Sequence, residues 1–271
     1  MSGSVVAKYD RRAQSAGSLV CVGLDSDIAR LPERFLSADD PQYAFNRWII
    51  DQTHPYASAY KPNMAFYEAR VEAGLRSLAR TVEYLRAQHP DILTICDAKR
   101  ADIGSTNQGY VTAIFDALGF DAVTLNPYLG REALAPFLAR ADKGCIILCR
   151  TSNPGAGELQ DLVVEGKPLW QIVAERVSRE WNAGGNCMLV AGATYPAELA
   201  QIRATVGDMT LLVPGVGAQG GDVEQTVRAG VNANGRGMII NSSRGIIFAD
   251  DPAGAARDLR DAINRARGLS T

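Results

Sequence analysis

The sequence predicts an α/β fold, specifically a single-domain (β/α)8 (TIM) barrel spanning residues 1–271, and three observations carry that expectation. Eight short apolar runs rich in β-branched residues recur along the chain, at 18–25, 57–63, 92–99, 122–128, 144–152, 187–194, 210–216 and 237–243. Between them lie stretches with helical apolar spacing, among them 65–88, 105–118, 167–183 and 223–229. Strands alternating with helices imply parallel strands joined by right-handed crossovers. Eight such units in 271 residues is the arithmetic of a closed barrel. An open doubly wound sheet would carry an early glycine fingerprint after its first strand, and Gly23-Leu24-Asp25 does not supply one.

Taken in order, residues 5–16 read as a helix ahead of the first strand, placed to cap the barrel floor. The strands that follow end in polar residues. The first ends at Asp25, the second at Lys61-Pro62-Asn63, and the third at Asp97 and Lys99. The fourth ends at Asn126-Pro127 and the fifth at Arg150-Thr151-Ser152. Taken singly, Asp25, Asn63, Asn126 and Ser152 are as well explained by turns and helix caps. Their recurrence at one end of successive strands is harder to explain that way, because barrel enzymes place their sites there. The longest stretch without a pattern is 153–166, and loops of that length are commonly functional or mobile. No domain boundary, repeat or low-complexity tract interrupts the chain.

Lys plus Arg number 28 and Asp plus Glu 30, a net charge of −2. That balance offers no basic field for nucleic acid or anionic lipid, so neither is expected as a partner. No apolar run reaches membrane-spanning length, and Met1 to Tyr9 lacks the pattern of a secretion signal. The five cysteines, Cys21, Cys96, Cys145, Cys149 and Cys187, sit mostly in strand-like runs without metal-ligand spacing. They read as buried reduced thiols of a cytoplasmic protein. The two histidines, His54 and His89, read as too few and too distant for a metal site or a relay.

The chemistry concentrates in Asp97-Ala98-Lys99-Arg100-Ala101-Asp102-Ile103-Gly104. On an extended strand Asp97 and Lys99 leave the same face, and Asp102 lies just past the strand. Two carboxylates and an ammonium therefore converge at one strand end. Such charges are costly to bury unless they are paired. A structural ion-pair network would satisfy that requirement, and so would a catalytic lysine held charged between two anions.

Two later turns point to a phosphate. Strand seven runs into Pro214-Gly215-Val216-Gly217-Ala218-Gln219-Gly220-Gly221-Asp222 and then a helix. Strand eight ends at Ser242-Ser243-Arg244-Gly245. Glycines let backbone approach an anion, a helix N-terminus donates N–H groups, and a guanidinium grips phosphate through two donors. The loops after strands seven and eight are the usual phosphate site of this fold.

Together these residues resemble the orotidine 5′-phosphate decarboxylase family. The matching elements are Lys61, the Asp97-x-Lys99-x-x-Asp102-Ile103-Gly104 motif, Pro214-Gly215-Val216-Gly217 with Gln219, and Ser243-Arg244-Gly245, in order along nearly the whole chain. The segments 124–130 and 150–154 suggest its longer-chain bacterial subgroup, and Ala101 departs from the glycine more usual there. The resemblance implies metal- and cofactor-free decarboxylation of orotidine 5′-phosphate to UMP, Lys99 protonating C6 as carbon dioxide leaves. It implies Asp97 beside the substrate carboxylate, with Asp102 and Thr106 entering from the partner subunit of a homodimer. Asp25 and Lys61 would hold the ribose and Ser152 the pyrimidine. Gln219 and Arg244 would hold the phosphate, and Asn126, Pro214 and Gly220 would complete the binding surface.

Two rivals are set against this reading. One is a magnesium-dependent sugar-phosphate decarboxylase or aldol-type synthase of the same superfamily, which would place a metal-binding glutamate where Lys61 stands. The other is a barrel that binds a nucleotide without catalysis, which has no need of Lys99.

Overall fold

The structure, a computed structural model, describes residues 4–216 and 222–269. Eight parallel strands close on themselves. They are β1 (Val20–Gly23), β2 (Ala59–Lys61), β3 (Leu93–Arg100), β4 (Ala122–Leu125), β5 (Gly144–Arg150), β6 (Cys187–Ala191), β7 (Leu211–Pro214) and β8 (Met238–Ser242). Each pairs with its sequence neighbours, and β1 pairs with β8 to complete the ring. Their side chains are buried almost throughout, as expected of parallel strands covered on both faces.

The expected helices form, with corrections. Helix α1 (Val5–Ser15) buries Val5, Tyr9 and Ala13 along one stripe. It closes the floor of the barrel: the Tyr9 hydroxyl donates to the Met238 carbonyl. Lys8 meets Asp121 at 2.8 Å, and Arg12 donates to the Ala57 carbonyl at 3.0 Å. The predicted helix at 65–88 is two, Ala65–Glu68 and α2 (Val71–Gln88). Val71 breaks the run with a φ of 49°. The two segments then pack so closely that a Cβ on Gly74 would lie 1.9 Å from the Tyr67 carbonyl oxygen. Apolar spacing continues across that break, which is why it reads as one helix.

The helices predicted at 105–118 and 167–183 begin as α3 (Gly104–Val111) and α4 (Leu169–Arg176). Each then relaxes into a π-helical stretch, Thr112–Ala117 and Val177–Trp181. The stretch 153–166 is not structureless. It holds a turn at Pro154–Ala156, the short helix Gly157–Gln160, and a two-stranded ribbon pairing Val163–Val164 with Lys167–Pro168. Among the described residues no helix is long and apolar enough to cross a membrane.

Two strands depart from regular register as they reach the rim, β3 between Cys96 and Arg100 and β5 between Leu148 and Arg150. Bulges of this kind re-aim side chains at strand ends. Both are at the end of the barrel where the polar residues gather.

All five cysteines are buried and unpaired. The two histidines, distant in sequence, are neighbours in space: their rings stack with centroids 4.4 Å apart. They belong to the opposite end of the barrel, where the His54 carbonyl accepts from Arg12 of α1.

Candidate active site

Asp97 is the centre of the site. Its backbone is fixed on both sides, its N–H donating to the Pro62 carbonyl and its own carbonyl accepting from Met64. Its carboxylate is buried and shared by two ammonium groups. Oδ2 accepts from Lys61 Nζ at 2.8 Å, and Oδ1 accepts from Lys99 Nζ at 2.7 Å. The Thr124 hydroxyl on β4 adds a third donor, 3.0 Å from Oδ1. Burial alone would raise the Asp97 carboxyl, but the Lys61 and Lys99 charges outweigh it and hold it well below the usual carboxylate range. Asp97 therefore stays ionised at any pH near neutrality.

Lys61 is buried, which would by itself favour its neutral form. The carboxylates of Asp97 and then Asp25 outweigh that penalty and raise its pKa. Lys99 differs. Its side chain is 48 % exposed against 5 % for Lys61, so Lys99 is the ammonium that faces the open cavity. Its backbone is in the left-handed region, with a φ of 48°, a costly conformation for a residue with a side chain. Thr124 supports it there, accepting the Lys99 N–H at 2.9 Å. The alternation of a regular strand therefore does not bring Lys99 to Asp97; a bulge held by a threonine does.

The geometry inverts the expected charge order. Within one chain the arrangement is a carboxylate between two lysines rather than a lysine between two acids. Asp102 does not join it. The Asp102 carboxylate accepts from the Ile103 N–H at 2.7 Å, and its backbone is clasped by the Asn107 side chain. It is absent from the residues lining the Lys99 cavity. Thr106 is exposed on the first turn of α3.

That cavity has a volume of about 440 Å3. Lys61, Asp97, Lys99 and Thr124 form one wall, and Thr151, Ser152 and Asn153 another, while Leu212 and Pro214 approach from β7. Asp25 stands behind Lys61 with a buried Oδ1 that has no hydrogen-bond partner among the described residues. A buried acceptor left open in this way is suited to a ligand donor such as a hydroxyl. Arg244 starts the short helix Arg244–Ile247 after β8, exposed and without an ion pair among the described contacts. Gln219 and Gly220, expected at the phosphate, lie outside the described residues, as does Gly217.

Asn126 caps a turn. Its Oδ1 accepts from the Tyr128 N–H at 3.0 Å and starts the turn Pro127–Leu129. It lines a neighbouring groove instead of the Lys99 cavity. Asn63 caps in the same way, its Oδ1 accepting from the Ala65 N–H. Sequence reasoning missed Thr124 and Gln160 as lining residues. A lone threonine between Val123 and Leu125 on a buried strand was the available signal for Thr124. Gln160 carried none, because it comes from the segment read as unpatterned.

The comparisons with known proteins agree with this geometry. The model of the family described as "Orotidine 5'-phosphate decarboxylase / HUMPS family" matches residues 18–259. The orotidine 5′-phosphate decarboxylase of Cellvibrio japonicus is 50% identical over 273 residues, covering 97% of this chain and 99% of that protein. Among solved structures, the OMP decarboxylase of Leishmania donovani superposes with a TM-score of 0.88 at 39% identity, covering 99% of this chain and 100% of that one. The UMP synthase of the same organism gives a TM-score of 0.89 at 41% identity, covering 97% of this chain and 56% of its own longer one.

Proposed function

The chain belongs to the orotidine 5′-phosphate decarboxylase family, and on that premise we propose that Lys99 protonates C6 of the pyrimidine as carbon dioxide leaves. The enzyme is a carbon–carbon lyase of UMP biosynthesis, converting orotidine 5′-phosphate to UMP. Relatives of about half-identical sequence carry the decarboxylase name, and neither rival reading finds support among them.

One observation carries the role of Lys99: it is the exposed ammonium on a buried carboxylate, aimed into the cavity. Loss of carbon dioxide from C6 leaves an electron pair in the plane of the ring, where the π system delocalises it poorly. A cation already fixed at that position stabilises it without reorganising at the moment of reaction. Asp97 orients Lys99 through their 2.7 Å ion pair, and the Lys61 charge helps to keep Asp97 ionised. Asp25 and Lys61 hold the ribose hydroxyls, and Ser152 the pyrimidine. Gln219 and Arg244 hold the phosphate, with Pro214 and Gly220 at its loop.

The reaction runs without metal or cofactor. At the end of β2 stands Lys61, whose charge repels a divalent cation. Among the described residues no group of three or more His, Cys, Asp and Glu is placed to hold one. Loss of orotidine 5′-phosphate absorbance with release of carbon dioxide is the direct assay, and it should proceed undiminished after exhaustive EDTA treatment. Activity abolished by EDTA and restored only by magnesium would overturn the metal-free reading.

Remote binding is separable from chemistry. Arg244→Ala removes a charge-assisted, two-donor contact to phosphate. It should weaken orotidine 5′-phosphate roughly 10- to 100-fold, while turnover of the phosphate-free nucleoside is scarcely altered. Equal damage to both substrates would remove Arg244 from the phosphate site.

The active unit is a homodimer with shared sites, Asp102 and Thr106 serving the partner. Exposed apolar side chains support that reading: Ile103 after β3, and Tyr128 and Leu129 after β4, on neighbouring loops at the same rim. The five buried, unpaired cysteines support a reducing compartment, the cytoplasm.

A further inference from the structure

The segment after β5 does more than connect. Gln160, at the end of its short helix, binds Thr151 twice. Its Oε1 accepts the Thr151 N–H at 2.9 Å, and its Nε2 donates to the Thr151 hydroxyl at 2.8 Å. That hydroxyl in turn donates to Asn153 Oδ1 at 2.6 Å, spanning Ser152 from one side to the other. Behind Ser152 there is no slack, since a Cβ on Gly192 would come within 3.0 Å of the Ser152 Cβ and 3.1 Å of its backbone nitrogen. Gly192 is itself held to β5, donating to the Arg150 carbonyl at 2.8 Å.

The clamp is anchored below by a buried cation. The Arg150 guanidinium donates to Glu198 at 2.6 Å, approaches Asp161 at 3.3 Å, and lies over the Tyr195 ring at 4.3 Å. Its remaining arm reaches Gln160 Oε1 at 3.4 Å. Gln160 thus joins an ion-paired core to a three-residue loop lining the Lys99 cavity. A loop that must meet a planar base at a fixed height needs such fixing, because misplacement by about an ångström forfeits much of the binding.

We propose that Gln160 is a positioning residue for base recognition, holding Thr151-Ser152-Asn153 so that Ser152 meets the pyrimidine. The proposal rests on the reading of Ser152 as the base contact. Gln160 acts through that loop and leaves the ribose and phosphate contacts untouched. Its carbonyl oxygen is the essential half, because the Thr151 N–H and Arg150 both depend on it.

The test compares two inhibitors of decarboxylation, UMP and ribose 5-phosphate, which differ by the base. Gln160→Leu should raise the inhibition constant for UMP roughly 5- to 20-fold and leave that for ribose 5-phosphate within two-fold. Gln160→Glu keeps the acceptor for the Thr151 N–H but draws the Thr151 hydroxyl proton away from Asn153, so its UMP constant should fall between those of the parent and Gln160→Leu, a partial rescue. Ser152→Ala should raise the UMP constant, and adding Gln160→Leu to it should cost less than two-fold more, because the two act on one contact. Several outcomes would overturn the proposal: equal loss for both inhibitors, no loss for UMP, failure of Gln160→Glu to rescue, or full additivity with Ser152→Ala. If Ser152→Ala weakens UMP and Gln160→Leu does not, the clamp alone is wrong. If Ser152→Ala leaves UMP unchanged, the base-contact reading falls first and the clamp with it.

Discussion

Replacing Lys99 with alanine is expected to lower kcat by at least ~10^4-fold, about 5.4 kcal/mol, while UMP still binds. The figure follows from losing two things together. A positioned general acid contributes roughly 10^2 to 10^4, and one preorganised electrostatic donor roughly 10^2 to 10^3. The variant should fold, because Asp97 keeps its second ammonium, Lys61, at 2.8 Å and the Thr124 hydroxyl at 3.0 Å. Lys61 is nevertheless no substitute, since its side chain is 5 % exposed and committed to the buried face of the carboxylate. Lys99→Arg separates the two contributions further. It restores a cation whose proton is far harder to give up, and so should bind UMP, as the alanine variant does, without regaining parental turnover. Absorbance-monitored decarboxylation and equilibrium UMP binding decide the matter. More than about a tenth of the parent activity in Lys99→Ala, a loss of barely 1.4 kcal/mol, would show that the proton comes from elsewhere.

The barrel was legible because eight continuous apolar runs alternate with stretches of helical spacing, and because closure follows from counting them. The Asp97, Lys99 and Lys61 positions at the rim were legible for a related reason: polar residues at the ends of buried strands are conspicuous. What escaped was whatever depends on geometry rather than spacing. Nothing in the spacing of Asp97 and Lys99 says that the strand bulges between them, or that a threonine one strand away holds the bulge. Pairing partners also escaped. Asp102 was read as the second acid of the cluster on adjacency, and the folded chain instead supplies Lys61 and, behind it, Asp25. Capping explained Asn126 because a side-chain oxygen two residues before an N–H finds it locally, before any ligand is present. The clamp at Gln160 was hidden in a stretch too short in each of its elements to show a period.

The second large effect follows from where Asp102 lies. It is outside the Lys99 cavity of its own chain, and its loop carries the exposed Ile103. In a two-fold dimer with shared sites, each site takes Lys99 from one subunit and Asp102 from the other. Lys99→Ala and Asp102→Asn should then each be close to inactive as homodimers. A mixed dimer concentrates both lesions in one site and leaves the other intact. Random reassortment makes about half of the dimers mixed, so roughly a quarter of all sites should regain parental activity from two nearly dead proteins. If Asp102 serves its own chain, every site of a mixed dimer carries one lesion and nothing is regained. The experiment is to unfold the two variants together, refold them, verify mixed dimers by differential tagging, and assay. Recovery toward a quarter supports the shared site. Activity fixed at the average of the parents, with mixed dimers confirmed, would return Asp102 to its own subunit and leave its loop a structural turn.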